Sequence, residues 1–569
     1  MPSSIKHVLD QLDALKSRFG SREHSSVTPI LSRLSRLRFS DAETLLRYHE
    51  ILLFLRAYPQ SEDILRFADR ELSKFAERVQ QLETTGADLS VLEHPEASGI
   101  AGMSVTDTFS YYIVRWLVRS PAGRVALDWD WFEDENRLAE TWPRFMPLLE
   151  EDASVEANVP YREWLQAAAG SKRRELSWLM RQFDRLQRAD KEKAELYDSQ
   201  KLYVNWTPSY RESRSGMRLP SKKIFYHRDP LIQRRDISLR RELEQPAPPL
   251  KQLSAKQGEA ILNLTRAAST IRYRELYGFT HGDLRRVLKT NLGRGVDLFI
   301  IGLPSGKRLP LRAYHAAMIF KNGVPVGYFE GISLFERMES GFNLYYTFRD
   351  GETAWLYARL LNTFHHLLGV TAFSIDPYQI GYENEEGIES GAFWFYRKLG
   401  FRPTRPEVTK LVLSEEKKIA SRKNYRTNAR TLRKLAEGPM IFELEKSPGN
   451  SKAGDWDRFQ VRSIGLSVQR QMSARHGGNA ETLRSAAIRD LTRVLGTRLE
   501  KFWKIESDTL SDFAVALSLV EDLDDWRPPE KQALAHIIHA KATQDESSYL
   551  KLMQKHTRLR RALIELGSL

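Results

Sequence analysis

The chain has no cysteine among its 569 residues. That excludes disulfides, thiolate metal sites and a cysteine nucleophile, and it suits a reducing compartment. Long apolar runs are missing as well. No stretch reaches the ~18 apolar residues that span a bilayer. The opening Met1-Pro-Ser-Ser-Ile-Lys-His7 carries no basic-then-apolar leader pattern. A soluble, cytoplasmic protein without a membrane partner is the expectation. No fixed internal period marks a solenoid. Acidic residues are scarce in two places. Between Lys201 and Arg241, 11 Lys/Arg stand against 3 Asp/Glu, and between Lys417 and Lys434 there are 8 Lys/Arg and no acid. Such patches carry much of the formal charge of +13 and suit nucleic acid, acidic protein or a phosphate-bearing cofactor. Aromatic interleaving is thin and no nucleic-acid motif appears, so a solvated basic surface is the preferred reading and nucleic acid the rival.

What is present belongs to folded protein. The apolar fraction is 41%, with 12 Trp, 21 Tyr and 26 Phe, and the length suggests several domains. Residues 1–200 read as a helical domain. Ser40 or Asp41 can cap a helix carrying Leu45, Leu46, Ile51, Leu52 and Leu55, stopped by Pro59. Single helices are expected over Glu62–Leu82 and Lys172–Glu195. Residues 201–254 read as a basic, proline-containing linker or arm. Residues 255–412 read as a mixed domain, opening with two helices that hold Ile261, Leu262 and Leu264, then Leu284, Val287 and Leu288. Residues 413–569 read as a helical C-terminal domain. Its first helix, Ser414–Leu435, would place Arg422, Arg426, Arg430 and Arg433 on one face.

Several familiar spacings fail on inspection. His227-Arg-Asp229 imitates a kinase catalytic loop, but Arg234 stands where the metal-holding Asn belongs. Ser98–Gly102 and Gly302–Lys307 have too little of a P-loop and read as turns. The acidic, aromatic run Asp128–Glu135 lacks EF-hand spacing and reads as a surface turn. His365 and His366 point about 100° apart on a helix, which does not suit a shared ion. No metal is expected.

The chemistry concentrates between Tyr314 and Phe401. Tyr314–Phe320 alternates as a strand, Asn322-Gly323 is a hairpin turn, and Val324–Leu334 is the returning strand. A third strand is expected at Phe342–Phe348, then a glycine turn at Gly351 and a helix over Glu352–Leu368. Val370–Ile375 reads as a buried strand. An acidic loop then leads to Ala392-Phe-Trp-Phe-Tyr-Arg-Lys-Leu-Gly-Phe401.

This order resembles the GNAT family of acyl-CoA-dependent N-acyltransferases over about residues 255 to 412. Its most specific part is Ala392-x-x-Phe395-Tyr396-Arg397-Lys398-Leu399-Gly400-Phe401. The resemblance implies an α+β fold, a GNAT-like mixed, mostly antiparallel sheet with helices, here flanked by large all-α N- and C-terminal regions. It implies acyl transfer from acyl-CoA (acetyl-CoA) as co-substrate to an amine of a small molecule or protein. Such transfer needs both reactants held in attack geometry, with no covalent enzyme intermediate. By position, Phe348, Arg349, Gly351, Thr353 and Ala354 would form the pyrophosphate turn. Tyr345 and Tyr346 would lie on the thioester strand, and Tyr396 would be the general acid. Glu330 and Glu336 are candidate bases, as are Tyr345 and Tyr346 through water. The chain departs from the family in having Phe348 for Gln or Arg, Thr353 for a small residue and Glu389 for Asn. Asp350 and Glu352 put negative charge at the turn. Phe393, Trp394, Phe395 and Phe401 are most simply core aromatics. Two alternatives stand beside acyl transfer. One is a catalytically inactive scaffold that binds a partner. The other is a nucleic-acid-associated protein, in which the four arginines could equally contact the acidic Glu383–Glu389 loop.

Overall fold

The computed structural model describes residues 5–19, 21–120, 123–132, 134, 136–139, 141–146, 159–221, 223–444, 454–496 and 507–568. Glu133 and Glu135 of the acidic run lie outside the described residues.

The N-terminal region is helical, with one small sheet. Asp41 caps the helix Ala42–Ala57 by accepting from the Thr44 amide at 2.9 Å, so Asp41 rather than Ser40 serves there. The helix expected over Glu62–Leu82 is interrupted at Lys74, giving Glu62–Ser73 and Phe75–Glu83. Lys172–Glu195 likewise divides into a 3-10 turn, Glu175–Arg185 and Asp190–Ser199. The small sheet is antiparallel. It comprises β1 (Val105–Asp107), β2 (Gly123–Leu127) and β3 (Val204–Pro208), with β3 in the middle. The basic segment after Lys201 therefore begins as a central strand. Further on, its Arg214 is buried against Glu50 at 2.9 Å.

Among the described residues nine strands form the main sheet: β4 (Lys251–Gln252), β5 (Val287–Gly293), β6 (Val296–Ile301), β7 (Ala313–Lys321), β8 (Val324–Leu334), β9 (Arg337–Leu344), β10 (Ala372–Ile375), β11 (Arg402–Pro403) and β12 (Met440–Glu443). Their order is β11-β12-β10-β9-β8-β7-β6-β5-β4. All neighbours are antiparallel except β9 and β10, which are parallel and joined through the helix Thr353–Leu368. The fold is α+β with helical flanks. The β7–β8 turn is the expected hairpin, with Asn322 and Gly323 both at positive φ (49° and 83°).

Local pattern misled in four places. The third strand is Arg337–Leu344, and Tyr346–Phe348 is a 3-10 turn after it. Val287 and Leu288 lie in β5, because their cross-strand partners Ile301 and Ile300 cover them. The arginine helix is two helices, Pro406–Ser421 and Ala429–Leu435, broken where Asn424 takes φ 64°. β12 falls in the segment read as the helical C-terminal domain, yet it pairs with β10 and β11.

Strand alternation divides the core in two. Ala313, Ala317, Ile319 and Phe329 face one cluster, with the long helix (Thr353–Leu368), the N-terminal helices and the C-terminal helices. Tyr314, Ala316, Met318 and Phe320 face the other, with the helix Ala255–Thr270 and the small-sheet region. The C-terminal helices are keyed to strand ends. Tyr549 donates to Leu311 O at 2.6 Å, and Gln554 donates to Phe335 O and Leu368 O at 2.9 Å each.

Candidate functional site

The turn between β9 and the long helix is filled by other parts of the chain. A Cβ built on Gly351 would lie 2.3 Å from the Tyr58 hydroxyl oxygen, so only glycine allows this approach. The Tyr58 oxygen also hydrogen bonds to the Glu352 main chain. Glu352 sits at the N-cap, nearly fully buried. Its carboxylate meets Arg294 at 2.6 Å and Lys321 at 3.5 Å and accepts from the Ile232 amide at 3.2 Å. Burial pushes the Lys321 ammonium down to about 7 despite Glu352, and the Lys321 nitrogen lies over the Tyr58 and Phe225 rings. Asp350 pairs with Lys16 at 3.1 Å, and Arg349 pairs with Glu386. Thr353 donates back to Arg349 O at 3.1 Å. Phe348 and Ala354 are buried, and Tyr345 is buried with the Arg272 guanidinium 3.8 Å from its ring centre. Tyr346 is 67% exposed. Most of the expected turn residues thus hold the turn to its neighbours.

The β9–β10 ladder ends at Glu339 and Ser374, whereas β9 continues to Leu344. Beyond that point the parallel pair separates, and the β9 edge carries no ladder on that side among the described residues. At this fork Tyr357 of the long helix shares a 2.8 Å hydrogen bond with Ser340 of β9. Tyr396, on the helix Ala392–Arg397, packs edge-on against Tyr357 at 5.6 Å. Burial raises the Tyr396 hydroxyl pKa. Phe393 and Phe401 are buried around it, as core aromatics.

The candidate bases are elsewhere. Glu330 pairs across from Gly341 and so faces the side of the sheet opposite Ser340. Tyr314 donates its hydroxyl to Glu330, and burial raises the Glu330 carboxyl. Glu336 lies in the β8–β9 turn, buried, with Arg560 at 2.5 Å and Trp456 Nε1 at 2.8 Å. No hydrogen bond joins Tyr396 to either glutamate among the described residues. The expected acid and bases occupy three separate environments.

A cavity of about 750 Å3 opens on the Glu330 side of the sheet. Arg337 and Glu339 form part of its floor, and Arg312, Asp376, Tyr378 and Tyr382 stand at its walls. Arg337 is stacked 5.6 Å from both Trp456 and Phe459 and donates to Ser374 at 3.0 Å. No motif in the sequence points to these residues. Asp376-Pro377 after a buried strand was the available signal, since such a pair ends a strand with a capped turn. His365 and His366 bond separate carbonyls, Val370 O and Gln245 O. Of the four arginines, Arg433 reaches Glu385 at 2.8 Å. No family model, curated protein or solved structure matches the chain.

Proposed function

We propose that the chain is an acyltransferase-type scaffold that binds a partner without acyl-CoA chemistry. The scaffold half is supported by the sheet order, the parallel crossover through the long helix and the fork between β9 and β10. The non-catalytic half is carried by one observation, the Glu352–Arg294–Lys321 group under Tyr58 at the start of that helix, in which Glu352 and Lys321 are buried. A helix N-terminus attracts an anion through its free amides and dipole. Here a pyrophosphate would meet the Tyr58 ring and a carboxylate that already holds both nearby cations. Those residues do not fit acyl-CoA in this arrangement, and no catalytic step is derived through it. The partner is an amine-bearing small molecule or protein segment seated in the 750 Å3 cavity. Glu339, Asp376 and the two tyrosines suit an ammonium, and Arg312 and Arg337 suit an accompanying carboxylate.

Saturating acetyl-CoA is expected to leave the melting temperature of the full chain unchanged. A rise of several degrees would show a bound cofactor and end this reading. Catalytic acyl transfer has one observation in its favour, the place of Tyr396 beside the fork. It requires Tyr58 and Glu352 to withdraw. In that case Tyr58→Ala would gain a thermal response to acetyl-CoA, and Tyr396→Phe would lower turnover with affinity retained.

A further inference from the structure

A second hollow, of about 320 Å3, lies toward the other end of β7 from Lys321. Its sheet wall follows from register. Gln252 pairs with Leu288, Leu288 with Ile300, and Ile300 with Ala317, so all three share a face with His315. Leu367 from the long helix and Asp545–Ser547 from the start of the helix Glu546–Lys555 close the opposite side. Leu288, Ile300, Leu303 and Leu367 give the hollow an aliphatic side, beside polar and charged groups.

The charged and polar groups around it are nearly all engaged within the chain. Asp545 accepts from the Ser547 and Ser548 amides at 3.0 Å each. Glu546 pairs with Lys541 at 2.5 Å and accepts from the Tyr314 amide at 3.2 Å. Arg286 pairs with Asp283 at 3.4 Å, and the Gln252 amide donates to Arg285 O at 2.8 Å. Ser547 donates to Asp545. His315 is the exception. It is 6% exposed, and neither ring nitrogen has a hydrogen-bond partner among the described residues. A buried polar atom without a partner costs free energy that a ligand can recover. Burial lowers the His315 pKa, with Lys541 and Arg308 opposing protonation and Glu546 and Asp545 favouring it. The ring is therefore neutral near pH 7.

We infer that this hollow is a binding site for an uncharged, largely apolar molecule that carries one hydroxyl group, held by His315. A charged ligand would lose hydration beside ions that are already paired. A hydroxyl both donates and accepts, so it satisfies an open imidazole nitrogen in either tautomer. The aliphatic wall of Leu288, Ile300, Leu303 and Leu367 takes the remainder.

Calorimetric titration of the full chain with phenol, toluene and benzoate tests this. Phenol is expected to bind saturably, toluene roughly three- to tenfold more weakly for lack of one hydrogen bond, and benzoate not at all. His315→Phe should erase the preference for phenol over toluene, and His315→Gln should keep it. Ile300→Trp, which fills the hollow, should abolish both. Should His315→Phe not fold, the Gln and Trp variants still decide. The proposal is overturned if the native chain fails to bind phenol or if benzoate binds as tightly. It is equally overturned if the phenol preference survives His315→Phe or phenol binding survives Ile300→Trp.

Discussion

Glu352→Ala is expected to destabilise the chain by about 3–5 kcal/mol, the usual cost of leaving a buried charge without its partner. Lys321 is 1% exposed at the side chain, and among the described residues its ammonium would keep the Arg294 carbonyl and two aromatic faces. Arg294 would lose its carboxylate too. The loss should narrow as pH rises. Burial sets the Lys321 pKa at about 7 in the folded chain against 10.5 ordinarily. Between those values the unfolded chain holds the proton and the folded chain does not, so folding gains from rising pH. Without Glu352 the folded lysine discharges at still lower pH, so above pH 7 both chains bury a neutral amine. Denaturant unfolding at pH 6 and pH 9 measures the difference. A gap that is equal at the two pH values would show that Lys321 is not the charge Glu352 serves. The double variant Glu352→Gln/Lys321→Met should recover most of the loss, because replacing both members of a buried pair is nearly neutral.

That cluster also marks what was legible in the sequence. Asn322-Gly323 announces its hairpin because both residues accept positive φ, and the apolar run after Gly351 announces the long helix. These are local signals. In sequence Glu352 reads as an unfavourable charge at an anion site. Its meaning depends on Arg294, Lys321 and Tyr58, which are distant in sequence and arrive only with the fold. Met440–Phe442 is three apolar residues in a charged neighbourhood, too short for periodicity to identify a strand. Its place beside β10 comes from sheet pairing. Tyr396 stands out in the sequence by its motif. Its surroundings of Tyr357, Phe393 and Phe401 fit the aromatic-core reading of this stretch.

His227→Phe is expected to make the chain more acid-resistant. His227 lies among Phe19, Tyr58 and Phe225, with ring centres 4.8 to 5.2 Å away. Neither ring nitrogen has a hydrogen-bond partner among the described residues. Burial, then Lys321 and Arg294, push its pKa down to about 2 from 6.5. Below pH 6.5 the unfolded chain binds a proton that the folded chain refuses, so stability falls as pH falls, until the folded pKa is reached. At ~1.4 kcal/mol per pH unit, the penalty at pH 5 is about 2 kcal/mol. Phenylalanine cannot incur it, whereas other buried histidines such as His49 titrate alike in both chains. The stability difference between variant and native chain should therefore grow by about 2 kcal/mol from pH 8 to pH 5, and parallel pH profiles would sink the argument. The location gives the effect a structural consequence. The adjoining Phe225 exchanges hydrogen bonds with Asn322 at 2.8 and 3.0 Å, and the Asn322 amide donates to Ala57 O at 2.9 Å. Charging His227 therefore strains the clasp around the β7–β8 turn, the same clasp that keeps Tyr58 over Gly351. If acid opens it before global unfolding, hydrogen exchange at pH 5 should rise first at Phe225, His227 and Glu352, and His227→Phe should suppress that early opening.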